Sequence, residues 1–453
     1  MSTTPDTAPA ISTEAPITLA EAPVRRLGVL DGLGLWGNLG VSLLLPVAAV
    51  YVVVPGGSLA VTMGAVVVGA VIGAVLLGFG AAAGAREGVP AMVLLRGLLG
   101  HRTSYLPTVF NLLQCVGWAT FEVLVISDSA ARALHTPRWP WVLGAGALAT
   151  LMALRPLGAV RLLSRYAVWA SIAAIAYLFV RVLSHPLHPI TGPGATSFWT
   201  AADIVIALPV SWFPLAADYT RHTRSGRAAF TGSSVGYGIS TVVMFTLGVL
   251  ALAAYGRGGM DVIGALLAVP LGLLALLLLV VLELDEAFAN IYSTAISAQN
   301  IGGRIDRRIL AVAVGVVATL LALTFDITAY QSFLYLIGAV FVPLVAVFSI
   351  AYFLTPRGQW DVSETAPARP LFLLPWAAGF VAYQLTLPTY FQGPGAGWTA
   401  WWSARQADLG ISATNGWSAS LVSLAVATVL TVPLCVPAVI RARRIRARRG
   451  RTS

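Results

Sequence analysis

The sequence contains no lysine and little charge of any kind. All 28 basic residues among its 453 are arginine, and charged side chains make up only 10% of the chain. The arginine bias reflects gene base composition and carries no chemistry. The scarcity of charge does carry some: with 58% hydrophobic residues and a mean hydropathy of +0.83, a soluble globule would precipitate, so the expected solvent is a bilayer. Cysteine is nearly absent. Cys115 and Cys435 lie in separate apolar runs, which argues against a disulfide framework or a thiolate metal site and leaves both as small packing residues. There is no Walker motif, dinucleotide fingerprint or HExxH helix, and no setting for a nucleophile with its base. An ATP-driven pump, a membrane protease and intramembrane enzymes in general therefore lack support, as does an organic cofactor.

Long apolar runs are what the sequence does have. Crossing the hydrocarbon takes about 20 mostly apolar residues. Such runs fall near 28–54, 59–83, 105–128, 139–156, 162–183, 199–217, 230–255, 264–299, 308–325, 330–354, 370–391 and 417–440. They predict an all-α integral membrane protein with twelve transmembrane helices. The eighth run exceeds one crossing and is expected to open with a surface helix before the crossing helix starts near Pro270. Residues 1–24, rich in Ser, Thr, Pro and Ala, predict a disordered tail, and residues 441–453 a basic one. A cytoplasmic N-terminus puts 23 arginines on the inner side and leaves Arg132, Arg138, Arg181, Arg257 and Arg405 outside. That asymmetry and the even span count predict both termini in the cytoplasm of a bacterial-type inner membrane. The net charge of +10 then reports topology and contact with anionic lipid, not nucleic acid, and a monomer is expected. Glycine pairs four apart, Gly69 with Gly73 and Gly80 with Gly84, suit close helix packing.

Two runs carry helix breakers at depth. The first reads "GLGLWGNLGVSLLLP", clustering Gly37, Asn38, Gly40 and Ser42; the sixth reads "ALPVSWFPLAADYTR", with Pro209 and Pro214 five apart. Both are expected to open near the midplane, in matching positions of two five-span halves, where transporters place substrate and ion. Two kinked helices are the plain alternative. In the eighth run, "ELDEAFANIYSTAISAQN" puts Glu283, Glu286, Asn290, Ser293, Thr294 and Ser297 on one stripe, which must face protein or water rather than lipid. Ser293 and Thr294 can offer oxygens to sodium, or can simply bond back to the preceding turn. In "GWATFE" of the third run, Trp118 and Glu122 share a face: an indole for stacking and a carboxylate for ring N–H groups, suited to a planar nitrogen heterocycle. A packed tryptophan beside a paired glutamate is the competing reading.

With these stretches the chain resembles the nucleobase:cation symporter-1 family, whose members include cytosine permeases, the bacterial hydantoin transporter and hydroxymethylpyrimidine transporters. The resemblance covers about residues 28–440 and rests on "GVPAMVLLRGLLG", "GWATFE", "SWFPLAADYTRHTRSG" and "FANIYSTAISAQN" in order. It implies a LeuT-type five-plus-five inverted repeat plus two C-terminal helices: residues 25–184 as the first repeat, 198–355 as the second and 368–440 as the added spans. It implies a substrate stacked on Trp118 and bonded by Glu122, where the hydantoin transporter has glutamine, and by Gln299, with Asn38 at the break also in reach. The family's second aromatic aligns near Pro209, with Trp212 three residues away. A sodium site is implied at the carbonyls of Gly40 and Leu43 with Asn290, Ser293 and Thr294.

Asp218 and Arg221, at the inner end of the sixth run, are expected either to form a local pair or, through the aspartate reaching the inner loop "AREG", to help close the cytoplasmic side. The function expected is import of cytosine, a purine or hydroxymethylpyrimidine by sodium symport. The alternatives are proton coupling through Glu122 or the Glu283–Glu286 cluster, and a cation channel along the acidic stripe.

Overall fold

The computed structural model describes residues 23–54, 56, 58–155, 168–190, 194–256, 261–356, 358–391 and 395–449. The expected disordered tail lies outside these residues except for its last two positions, and the start of the fifth run lies outside them as well. The first run forms α1 (Val29–Leu39) and α2 (Leu44–Val52), which meet at 67°. It is followed by α3 (Leu59–Glu87), the short α4 (Ala91–Leu94) and α5 (Arg96–Leu99), then α6 (Tyr105–Leu134), α7 (Trp139–Leu154) and α8 (Val168–Leu183). The sixth run forms α9 (Phe198–Ser211) and α10 (Phe213–Thr220). The remainder is α11 (Gly226–Tyr255), α12 (Val262–Ala268), α13 (Gly272–Ala298), α14 (Arg307–Thr324), α15 (Tyr330–Leu354), α16 (Leu373–Thr386), α17 (Ala396–Asp408) and α18 (Ala419–Arg449).

Among the described residues seven helices are long and apolar enough to cross a membrane, and the bent α1–α2 pair makes an eighth. Three shorter apolar helices, Trp139–Leu154, Trp169–Leu183 and Pro370–Thr386, and the acid-bearing α13 occupy the other runs in the expected order.

The two suspected breaks differ. In the first, Gly40 ends α1, Val41 N–H turns back to Asn38 O at 2.9 Å, and α2 starts afresh at Leu44. The sixth run hardly opens. Trp212 alone separates α9 from α10 and keeps right-handed helical angles, so the two prolines tighten one turn instead of unwinding several. Pro209 contributes its carbonyl to Trp212 N–H at 3.2 Å, and Leu215 N–H bonds Trp212 O. The side chain of Gln114 donates to Ser211 O at 2.9 Å.

The glycine stripe of α3 lies on the sixth run. A Cβ at Gly69 would sit 2.6 Å from Ala202 O, and one at Gly84 2.5 Å from Ala217 Cβ, distances no side chain tolerates. At its other end the sixth run holds the last helix: buried Asp203 accepts from Ser418 Oγ at 2.5 Å, Ala419 N at 2.8 Å and Ser420 N at 3.1 Å, capping α18. Two extensions were not expected. The helix of the last run continues through the basic segment to Arg449, and α17, bearing Trp398, Trp401 and Trp402, intervenes before it.

Candidate functional site

Where α1 gives way to α2, the new helix exposes unpaired N–H groups inside the bundle, and acids on α13 take them up. Leu43 N donates to Glu283 Oε2 at 2.5 Å and Ser42 Oγ to Glu283 Oε1 at 2.7 Å, while Glu283 is fully buried. From the α1 side Asn38 Nδ2 donates to Asp285 Oδ2 at 2.5 Å. Two neighbouring carboxylates of α13 thus grip the two lips of the broken helix. Asp285, off the polar stripe, was the residue the spacing argument left out; the signal was its place in "ELDEA".

Beside the break lies a closed chamber of about 10 Å³, about the room for one water. Trp118 and Glu122 from α6, Trp212 between α9 and α10, and Glu286 and Asn290 from α13 all face it, with Ser42 from the break. Trp118 touches Tyr330 and Phe333 edge-on, at interplanar angles of 78° and 76°, so among the described residues no ring stacks parallel on its face. Glu122 is 1% exposed and lies beside Glu283 and Glu286. Glu122 Oε2, Glu286 Oε1 and the Trp118 indole N–H are buried without hydrogen-bond partners. A buried carboxylate oxygen without a donor is costly. Trp36 and Tyr219 pack edge-on against Trp212, and Tyr237 packs tilted at 59°, with centroids 5.9 to 6.2 Å from it.

The structure divides the expected site residues. Trp118, Glu122, Trp212 and Asn290 are brought together; Asn38 lies at the break, in the hands of Asp285. Gln299 is not in the chamber. It lies just past the end of α13, its Nε2 bonding Ile305 O at 2.8 Å, about 13 Å along the helix rise from Asn290. The expected ion ligands are likewise split. Gly40 and Leu43 lie at the level of Glu283 and Asp285, whereas Ser293 meets the Tyr219 hydroxyl at 3.3 Å and Thr294 bonds back to Asn290 O at 2.6 Å. Ten residues from Glu283 to Ser293 span about 15 Å of helix, so the contacts of the break and those of Ser293 fall at different levels of α13. The combined variant Ser293→Ala and Thr294→Ala is therefore expected to keep its dependence on the coupling ion within about threefold in proteoliposome uptake. Loss of that dependence would restore the pair as ligands.

Asp218 and Arg221 do not form a pair. Asp218 Oδ1 accepts from Ala91 N at 2.9 Å, tying α10 to the start of α4, just beyond the "AREG" stretch, while its Oδ2 has no hydrogen-bond partner. Nearby, Asn300 accepts from Arg96 and donates to Ser104 Oγ and Thr108 Oγ1, and Asn111 donates to Ser297 Oγ at 2.8 Å.

A broken helix gripped across a bundle beside a polar chamber is the arrangement in which membrane transporters place substrate and ion. Residues 35–370 match the family model described as permease for cytosine/purines, uracil, thiamine, allantoin, and the chain belongs to that family. Its fold is similar to Mhp1, a nucleobase-cation-symport-1 family transporter, in a closed conformation with bromovinylhydantoin bound: TM-score 0.71, 16% identity, covering 95% of this chain and 96% of that one. The inward-facing conformation of Mhp1 matches with TM-score 0.67 and 15% identity over 96% and 94%. A Na+-coupled sialic acid symporter in a substrate-bound outward-open state matches with TM-score 0.60 and 9% identity over 90% of each chain. No curated protein matches by sequence.

Proposed function

We propose that the protein imports a small planar nitrogen heterocycle, such as cytosine, a purine or hydroxymethylpyrimidine, by sodium symport with alternating access. The observation that carries this reading is the set of groups around the chamber, the unstacked Trp118 face beside two buried carboxylate oxygens, on Glu122 and Glu286, that lack donors; the chamber, contracted here to the room of one water, widens to admit the heterocycle. Ring N–H and amino groups of such a heterocycle supply those donors, while Asn290 can both give and accept. Trp212 forms the floor. The cation takes its place at the lips of the broken helix, near the carbonyls of Gly40 and Leu43, with Glu283 and Asp285 balancing its charge. The arginine distribution supports cytoplasmic termini, and residues 25–184 and 198–355 are the two halves that move. Each ligand favours the same arrangement of the break, so the coupling is reciprocal.

Thermal unfolding of the purified protein with cytosine, adenine, hypoxanthine, uracil, allantoin, hydantoin and hydroxymethylpyrimidine, each in sodium and in potassium, tests this directly. A shift seen in sodium alone supports the reading. A proton is the second reading, favoured by the unpartnered oxygens of Glu122 and Glu286; equal shifts in both salts, with uptake that follows pH, would replace sodium with it. Glu122→Gln turns one acceptor into a donor and is expected to move preference at least tenfold towards ligands richer in acceptors, about 1.4 kcal/mol. An unchanged ligand profile would make Glu122 structural.

A further inference from the structure

A second cavity, of about 930 Å³, opens at the arginine-rich end of the bundle. Arg25, Arg96, Arg221 and Arg304 reach its lining, against Glu87 and Glu364. The preference for arginine on inner loops accounts for exposed cations, but Arg221 is only 3% and Arg96 only 6% exposed. A buried guanidinium needs a partner. Arg96 has a neutral one, donating from Nε to Asn300 Oδ1 at 2.8 Å. Arg221 Nε has none; Asp218, three residues away, gives its Oδ1 to Ala91 N, and although its charge acts on Arg221 its free Oδ2 forms no hydrogen bond or close ion pair with it. Among the described residues neither arginine forms an ion pair. Glu87 is occupied by the Tyr352 hydroxyl at 2.6 Å. His101 also lines the cavity; burial and the neighbouring Arg96 hold its imidazole below the usual range, so it adds no charge at neutral pH, and its buried Nδ1 lacks a partner. The result is a roomy, net-positive basin with a buried guanidinium in its wall whose Nε lacks a hydrogen-bond partner.

We propose that this basin is a binding site for a phosphate monoester, whose oxygens bridge Arg221 and Arg96 while Arg25 and Arg304 hold the open side. Guanidinium groups match phosphate oxygens in geometry and charge. The volume exceeds what a bare phosphate needs and accepts an attached heterocycle. Resting on the import reading above, the ligand class is the phosphorylated form of the cargo, made by a group-transfer reaction on the side where cargo is released. Bound there, the ester obstructs release and slows further uptake.

The test uses the full-length protein. In detergent at constant ionic strength, inorganic phosphate and a nucleoside 5′-monophosphate are expected to raise the unfolding temperature, the monophosphate more, while the uncharged nucleoside and chloride do not. Titration calorimetry is expected to show at least a tenfold loss of monophosphate affinity in Arg221→Gln. Because Arg221 is buried and that variant can fail to fold, the exposed Arg304→Gln is measured beside it, with a loss of about threefold expected. In neutral phosphatidylcholine vesicles, monophosphate trapped inside is expected to reduce uptake. Chloride acting equally, or both variants binding as the unaltered protein does, would overturn the proposal. So would a basin that responds only when phosphatidylglycerol is added, which would assign it to lipid headgroups. The binding arms need no transport, so a failure of the import reading leaves them intact.

Discussion

Trp118→Ala is expected to weaken heterocycle binding between about 5-fold and about 150-fold while the protein stays folded. Stacking of a base on an aromatic side chain contributes about 1–3 kcal/mol by alanine substitution. The indole is 6% exposed and wedged against Tyr330 and Phe333 at centroid distances of 5.9 and 5.1 Å, so its removal also leaves a void. A large-to-small change of this kind costs about 3–5 kcal/mol of stability. Trp118→Phe separates the two effects, since it keeps a π face and much of the volume. Binding by calorimetry should fall steeply in the alanine variant and recover substantially in the phenylalanine variant, with unfolding temperature following volume rather than affinity. Unaltered affinity in a folded Trp118→Ala protein would remove the stacking role.

The legibility of this molecule varies with how local each signal is. Apolar length is local, so the order of the membrane runs was readable, as was the breakage of the first at its glycines. Prolines mislead because their effect depends on whether freed groups find partners. Those of the sixth run were contained by Gln114 and by one tightened turn, and the segment stayed helical. The pairing of Trp118 with Glu122 follows from helical spacing, but which level of α13 meets the break does not. That register is set by packing between helices some 240 positions apart, and only the contacts of Glu283 and Asp285 reveal it. The same uncertainty sent Gln299 to the chamber on paper when it belongs beyond the end of the helix. Asp203 offered a signal that went unused: an isolated acid in an apolar run needs a partner, and its partners are the first N–H groups of the last helix.

Glu283→Gln is expected to stop transport more completely than any change to the residues past Asn290. The carboxylate receives two donors at once, Leu43 N and Ser42 Oγ, and stands at the positive end of α2. Glutamine keeps one accepting oxygen and turns an NH2 towards the second donor, leaving a buried group unsatisfied at a cost of about 1–3 kcal/mol. The loss of charge at the helix start adds about 0.3–1 kcal/mol, rising towards about 2 where the site is buried. These costs fall on the arrangement in which the lips of the break are held together, the one that encloses the chamber. Asp285, bonded to Asn38, holds the other lip, and Asp285→Asn should weaken it less because only one donor is involved. Uptake in proteoliposomes is expected to drop at least tenfold for Glu283→Gln and by a smaller factor for Asp285→Asn. Unfolding temperature should change by only a few degrees, since α1 remains packed backbone to backbone on α11 through Gly32 and Gly232. Wild-type uptake by Glu283→Gln would mean that the break is held by packing alone, and that the acids of α13 serve the substrate rather than the hinge.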